Sequence, residues 1–253
     1  MLCRARADID KPFNDGATPL LMASQEGHAG VAQFLCEARA DIDKPDSNAG
    51  TPWHLAFQEG HAEVAQLLCG ARADIDKPDK NCATALAWAS RYGYEKVAQL
   101  LCRARADIDK PCFNDGTTPL LMASQHGHAE LAQLLCGARA DIDKQFNDGT
   151  TPLLMASQHG HAELAQLLCG ARADIDKQFN DGTTPLLMAS QHGHAELAQL
   201  LCGARADIDK QFNDGTTPLL MASQHGHAEL AQLLCGARAD IDKPFNDGAT
   251  PLV

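Results

Sequence analysis

The chain has 253 residues, of which 45% are hydrophobic and 21% charged, so it can bury a core and is not disordered by composition. Its 21 Lys and Arg stand against 33 Asp and Glu, and a net charge of −12 argues against a nucleic-acid backbone as the main partner. Aromatics at 5% leave few anchors for a small-molecule pocket, and ten cysteines are too sparse for a small disulfide scaffold. No apolar run approaches a membrane span, and the opening MLCRARADIDK lacks the apolar stretch of a signal peptide.

An internal period organises the whole sequence. Thr-Pro begins at Thr18, Thr51, Thr118, Thr151, Thr184, Thr217 and Thr250, and Thr84-Ala85 fills the gap. The steps are 33 residues except one of 34, where Cys112 is inserted before Phe113. Between Phe113 and Lys243 the block FNDGTTPLLMASQHGHAELAQLLCGARADIDK occurs four times unchanged. A shared period places each unit in nearly the same environment, stacked on its neighbours.

Within the unit that starts at Phe146, Asn147-Asp148-Gly149 is turn chemistry, with Gly149 free to adopt positive φ. Thr151 suits an N-cap and Pro152 the first helical position. Leu153, Leu154, Met155 and Ala156 supply apolar bulk, and Gly160 ends the first helix. A second helix opens at His161-Ala162-Glu163, and Leu164, Leu167 and Leu168 form one apolar stripe. That stripe is too small to fold alone and needs the next unit.

The run Thr-Pro-Leu, Ala-Ser-x-x-Gly-His, Leu-Ala-Gln-Leu-Leu, Ala-x-Ala-Asp-Ile-Asp resembles the ankyrin repeat along the whole chain. The resemblance implies an all-α ankyrin-repeat solenoid of stacked helix–turn–helix units with β-hairpin-like fingers. Complete repeats are expected at 13–45, 46–78, 79–111, 112–145, 146–178, 179–211 and 212–244, with partial repeats at 1–12 and 245–253. The chain departs from the family pattern in three places. The histidine of its Thr-Pro-Leu-His tetrad survives only as His54 and is Leu21, Leu121, Leu154, Leu187 and Leu220 in other units, which puts local polar bonding there in question. Asp46 and Asp79 keep the usual finger aspartate, where other units have Phe. Arg139, Arg172, Arg205 and Arg238 stand where the family has Gly, at a cost of about 1 kcal/mol each if that backbone is left-handed.

Chemical sites find little support. His126/His128, His159/His161, His192/His194 and His225/His227 recur, but neighbouring helices ~8–10 Å apart keep equivalent histidines from sharing an ion, so no metal is expected. His128-type residues are assigned a structural place and His126-type residues an exposed one. Cysteines at 3, 36, 69, 102, 136, 169, 202 and 235 form a ladder spaced too widely for disulfides and read as reduced thiols, while Cys82 and Cys112 fall in fingers and are expected at the surface. Asp141-Ile-Asp143 begins like a calcium loop but has Phe146 where the sharp-turn Gly belongs, so the acidic fingers read as solvated. No phosphate loop, nucleophile elbow or zinc-protease pair is present, and neither catalysis nor a cofactor is expected.

What remains is surface. Partners of ankyrin repeats dock on finger tips and the inner face of the first helix. By that resemblance the candidate positions are Asn114, Asp115, Gln125 and His126, then Asn147, Asp148, Gln158 and His159. They return as Asn180, Asp181, Gln191 and His192, and as Asn213, Asp214, Gln224 and His225. The third unit breaks the ladder with Lys80, Asn81, Arg91, Tyr92 and Tyr94, and Arg91 with Tyr92 are the better anchors, at the exposed end of their helix. Trp53 and Trp88 are expected in the core.

The expectation is a non-enzymatic protein–protein interaction scaffold, intracellular in the cytoplasm or nucleus, with protein partners, no nucleic acid and no membrane insertion. Alternatives are the substrate-recruiting arm of a larger enzyme, such as a ubiquitin ligase or kinase fusion, or a spacer with no specific partner. Met1-Leu2-Cys3 falls inside a second helix and Pro251-Leu252-Val253 inside a first one, both without polar capping substitutions. End-to-end association or a longer parent array is therefore expected.

Overall fold

The computed structural model describes residues 8–112 and 115–243, and the expected partial repeats at the two ends lie largely outside them. Fourteen helices occur among the described residues, and the fold class is an all-α repeat solenoid. Contacts divide the chain into two compact units, one ending at Pro119 and one beginning at Leu120.

The first unit holds three helix pairs: α1 (Pro19–Gln25) with α2 (Ala29–Glu37), α3 (Pro52–Gln58) with α4 (Ala62–Gly70), and α5 (Ala85–Tyr92) with α6 (Glu95–Arg103). First helices stack on first helices and second on second, α1 on α3 on α5 and α2 on α4 on α6. The other unit holds α7 (Pro119–His126) with α8 (Ala129–Gly137), α9 (Pro152–His159) with α10 (Ala162–Gly170), α11 (Pro185–His192) with α12 (Ala195–Gly203), and α13 (Pro218–Gln224) with α14 (Ala228–Gly236). It repeats that stacking, α9 on α11 on α13 and α8 on α10 on α12 on α14.

Each first helix starts as its sequence directs. Thr151 Oγ1 accepts the Leu154 N–H, Pro152 occupies the first turn, and Gly160 closes the helix at φ 74°. The same threonine cap survives where leucine has replaced the tetrad histidine, at Leu21, Leu187 and Leu220, because the bond uses only the backbone N–H of that residue. Among the caps described, that of α3 alone is reciprocal: the Thr51 N–H also donates to His54 Nδ1 at 3.3 Å, and the same nitrogen lies 2.9 Å from the Thr51 hydroxyl. A serine in most first helices turns its hydroxyl onto the carbonyl four residues back, as Ser157 does to Leu153 at 2.8 Å. Phe57 takes that position in α3 and is buried, 2% exposed.

Leucines and alanines fill the interior: Leu153, Leu154, Leu164 and Leu168 in one pair, Leu186, Leu187, Leu197 and Leu201 in the next. Arg139, Arg172, Arg205 and Arg238 are left-handed at φ 71–73°, so the strain expected of them is present.

The fingers are closed turns, and among the described residues one isolated antiparallel bridge, Cys112 to Thr117, is found. In the second unit Phe146 N–H donates to the Thr150 carbonyl and Gly149 N–H to the Phe146 carbonyl, both at 2.9 Å. The acids that follow each second helix are not simply solvated. Asp43 Oδ1 accepts the backbone N–H of Asp74 at 2.9 Å, and Asp143 that of Asp174 at 3.0 Å. Lys77 Nζ adds a bond to the Asp43 carbonyl. This chain of carboxylates joins consecutive turns, a role that charge counting alone does not reveal.

Two cysteine expectations are corrected. Cys112 is buried, 1% exposed, because it packs on Ala83 and Ala87 under the finger, and Cys82 is half-buried. Burial pushes the Cys112 thiol up, away from a reactive thiolate, and does the same to the ladder thiols Cys36, Cys69, Cys102, Cys136, Cys169 and Cys202.

Candidate interaction surface

The second and third helix pairs build a groove of about 450 Å³ inside the first unit. Its rims are finger turns. Asp46 Oδ1 accepts the N–H groups of Asn48 and Gly50, each at 2.8 Å, and Asp79 Oδ1 those of Asn81 and Ala83 at 2.8 and 2.9 Å. These are the two units that keep the finger aspartate, so the retained residue has a visible task. Lys80 Nζ donates to Asn48 Oδ1 at 3.1 Å and ties one finger to the next.

The inner wall is aromatic. Trp88 and Tyr92, one turn apart on α5, stack with centroids 5.7 Å apart and planes 7° from parallel. Tyr92 and Tyr94 stack at 5.7 Å, and Tyr94 meets Phe57 at 6.1 Å. The Arg91 guanidinium lies 5.6 Å from the Trp88 ring centre, within cation–π range. Trp88 is therefore not the core residue expected of it. It is half-buried, lines the groove and donates its indole N–H to Asp79 Oδ2 at 2.9 Å, whereas Trp53 is fully buried as expected. Tyr92 is 53% exposed and Tyr94 40%, while Arg91, expected at the surface, is half-buried.

Tyr94 explains why the wall is open. At the same position the other pairs carry His28, His61, His128, His161, His194 and His227. At His61, His161, His194 and His227 the imidazole lies over the glycine that ends the first helix of the preceding pair. A Cβ on Gly27 would sit 2.5 Å from the His61 ring, and one on Gly160 2.6 Å from the His194 ring. The same rings donate Nε2–H to the preceding pair, His61 to the Gln25 carbonyl at 3.0 Å and His194 to Gln158 at 3.1 Å. Above Gly60 no atom lies within 4 Å of such a Cβ. Tyr94 has turned toward Phe57 and Tyr92 instead, and a second cleft of about 350 Å³ runs beside it along Gly60 and Ala62.

At the base of the groove His54 is 6% exposed. Burial lowers its pKa below the usual 6.5, and the charges of Asp79 and Asp46 offset only part of that effect. Its Nε2 and the Trp53 Nε1 are buried without a hydrogen-bond partner.

In the second unit the predicted ladder is regular. His126, His159, His192 and His225 are exposed, and each ring sits 5.8–6.2 Å from its partner His128, His161, His194 or His227. The His192 pKa is lowered by partial desolvation first, then by His194, His159, His225 and His227. Gln125, Gln158 and Gln191 serve the array through their carbonyls, which accept from His161, His194 and His227. Gln224 is exposed. Asp115, Asp148, Asp181 and Asp214 each hold a turn by accepting the N–H of the threonine two residues on, at 2.8–3.0 Å. The Thr216 hydroxyl first, and its N–H second, lower the Asp214 pKa by hydrogen-bonding the carboxylate. Asn147, Asn180 and Asn213 are exposed at the finger tips, and Asn114 lies outside the described residues. Among the described residues no three His, Cys, Asp or Glu side chains converge on a point a metal could occupy, and no helix is long and apolar enough to cross a membrane.

Sequence reasoning reached one wall of the groove and missed the other. Asp46, Asn48, His54, Phe57 and Gln58 come from the second pair. The available signal was Phe57, an aromatic at a position that is serine in every other pair.

These observations agree with sequence and structural comparison. The model "Ankyrin repeats (3 copies)" matches residues 1–79, 40–112, 73–146 and 130–212, and "Ankyrin repeats (many copies)" matches 196–235. The chain belongs to the ankyrin-repeat family. It is similar in structure to the crystallised ankyrin repeat domain of Bcl-3, described as a unique member of the IkappaB protein family, with a TM-score of 0.80 and 26% identity. That match covers 88% of this chain and 100% of the other. No curated protein sequence matches the chain.

Proposed function

We propose that the protein is a non-enzymatic interaction scaffold whose partner protein docks in the groove between the second and third helix pairs. Ankyrin repeats are generally protein–protein interaction modules, and one observation favours this location over the regular ladder. The third pair replaces the Met, Gln and two His of the identical units by Trp88, Arg91, Tyr92 and Tyr94, of which Trp88, Tyr92 and Tyr94 line the groove and Arg91 lies against the Trp88 ring. Tyr, Trp and Arg are the side chains that dominate binding hot spots. The ladder of free thiols suits a reducing compartment, cytoplasmic or nuclear.

The test is affinity capture from the native cell with quantitative mass spectrometry. Wild type is compared with an Arg91→Ala/Tyr92→Ala pair and with a His159→Ala/His192→Ala pair. The reading requires that the first pair lose the main partner, by about 2 kcal/mol or more, while the second retains it. Loss through the histidines alone would move the site to the ladder.

A further inference from the structure

We infer that the groove receives an arginine side chain of the partner, inserted between the Trp88–Tyr92–Tyr94 stack and the Asp46 carboxylate. The inference rests on the docking reading above and adds the chemistry of the occupant.

Three observations converge on a planar cation. The π faces of a tryptophan and two tyrosines attract positive charge, and a flat guanidinium stacks on them where a compact ammonium does not. The chain itself supplies an example, since the Arg91 guanidinium already lies 5.6 Å from the Trp88 ring centre. The lining carries two carboxylates, Asp46 and Asp79, against one cation, Lys80, which is engaged with Asn48. Of the two acids, Asp79 is the more committed, with Oδ1 on two backbone N–H groups and Oδ2 on the Trp88 indole. Asp46 spends Oδ1 on its own turn, which leaves Oδ2 as the better placed acceptor for an incoming guanidinium. His54, held neutral by burial, adds no opposing charge. Neutral and anionic side chains would gain from the aromatic faces but not from Asp46, and the chain's net charge of −12 works against the anionic ones.

The protein carries its own reporter. Trp53 is sealed in the core, so a change in indole emission on adding a peptide reports Trp88. The probe is the capped pentapeptide Gly-Gly-Arg-Gly-Gly, titrated into the full chain beside peptides with citrulline, Lys, Leu or Glu at the centre. Citrulline keeps the planar shape and removes the charge. The arginine peptide should give a saturable emission change at millimolar concentration and bind at least about fivefold tighter than the citrulline peptide. Asp46→Asn keeps an acceptor for the turn and should erase that difference, Tyr92→Ala should abolish the response, and Lys80→Gln should strengthen binding. Circular dichroism of each variant confirms that it is folded. Equal binding of arginine and citrulline, or tighter binding of Leu or Glu with the same dependence on Tyr92, overturns the inference and leaves the docking reading standing. No saturable response to the arginine peptide also overturns it. The docking reading is judged separately, by the capture experiment.

Discussion

The indole N–H of Trp88 donates to Asp79 Oδ2 at 2.9 Å, and this bond joins the inner helix of the third pair to its own finger. The carboxylate that receives it also organises the finger turn through Asn81 and Ala83. Wall and rim of the groove are therefore tied together.

Trp88→Phe keeps a ring in the stack and removes the donor. A hydrogen bond to a charged but half-exposed acceptor is worth about 1 kcal/mol, so the variant should lose about that much in urea unfolding. The matching change at the fully buried Trp53 removes no hydrogen bond, but it opens a core cavity and relieves an unpartnered indole N–H. An unchanged urea midpoint in Trp88→Phe would show that the bond to Asp79 adds nothing.

Within each His-Gly-His triplet the two rings should differ in stability effect. His161 lies over Gly127 and donates to the Gln125 carbonyl of the preceding pair, whereas His159 is exposed and bonds only to Met155 of its own helix. His161→Ala is expected to cost about 1–2 kcal/mol and His159→Ala less than about 0.5 kcal/mol. Chemical denaturation of the two variants, side by side, checks the order.

Much of this was legible in advance, and the reason is periodicity. A 33-residue step with a Thr at each start, followed by Pro in all but one, fixes helix registers, caps and core leucines together, because every unit repeats the same local rules. The arginine-for-glycine departure at Arg172 was legible too, with strain expected if its backbone is left-handed, as it is at φ 72°. The groove was legible only by half. It depends on where Tyr94 turns once histidine is gone, and on Phe57 from another pair rising to meet it. Neither side chain's direction follows from its own unit. The inter-turn role of Asp43 and Asp143 was hidden for the same reason, since it needs the next unit's N–H.

Acid should weaken the fold through His54. Its folded pKa lies below the usual 6.5 because burial penalises the charged ring. The unfolded chain therefore binds the proton more readily. The stability due to the neutral ring is present above about pH 6.5 and is lost as pH falls below that value toward the folded pKa. His54→Leu, which copies the residue at Leu21 and Leu121, removes this titration. The Tm of wild type should drop further between pH 7.5 and 5 than that of the variant. Parallel curves would show that His54 takes up its proton as readily in the folded chain as in the unfolded one.

Arginine at a left-handed position is a reversible liability. Arg172 has φ 72°, and glycine reaches that conformation without the Cβ clash. After allowing for the greater freedom of glycine in the unfolded chain, Arg172→Gly should raise stability by about 0.5–1 kcal/mol. A fall in the urea midpoint would show that the arginine side chain makes compensating contacts of its own.

The His194 bond to Gln158 and the His227 bond to Gln191 are the same bond made twice, between identical surfaces. A helix pair that docks one unit out of place would find the same leucines, the same bare glycine and the same carbonyl waiting for it. The energy gap between correct and shifted pairings is then set mainly by the loop that must be expelled, and closing a loop of one repeat costs little more than closing a shorter one. Such near-degeneracy is ruggedness in the folding landscape, placed there by sequence identity and not by poor packing. Refolding of this region should pass through slow rearrangement and, at high concentration, through exchange of units between molecules. Diversifying a single pair would give every other pair a fixed address.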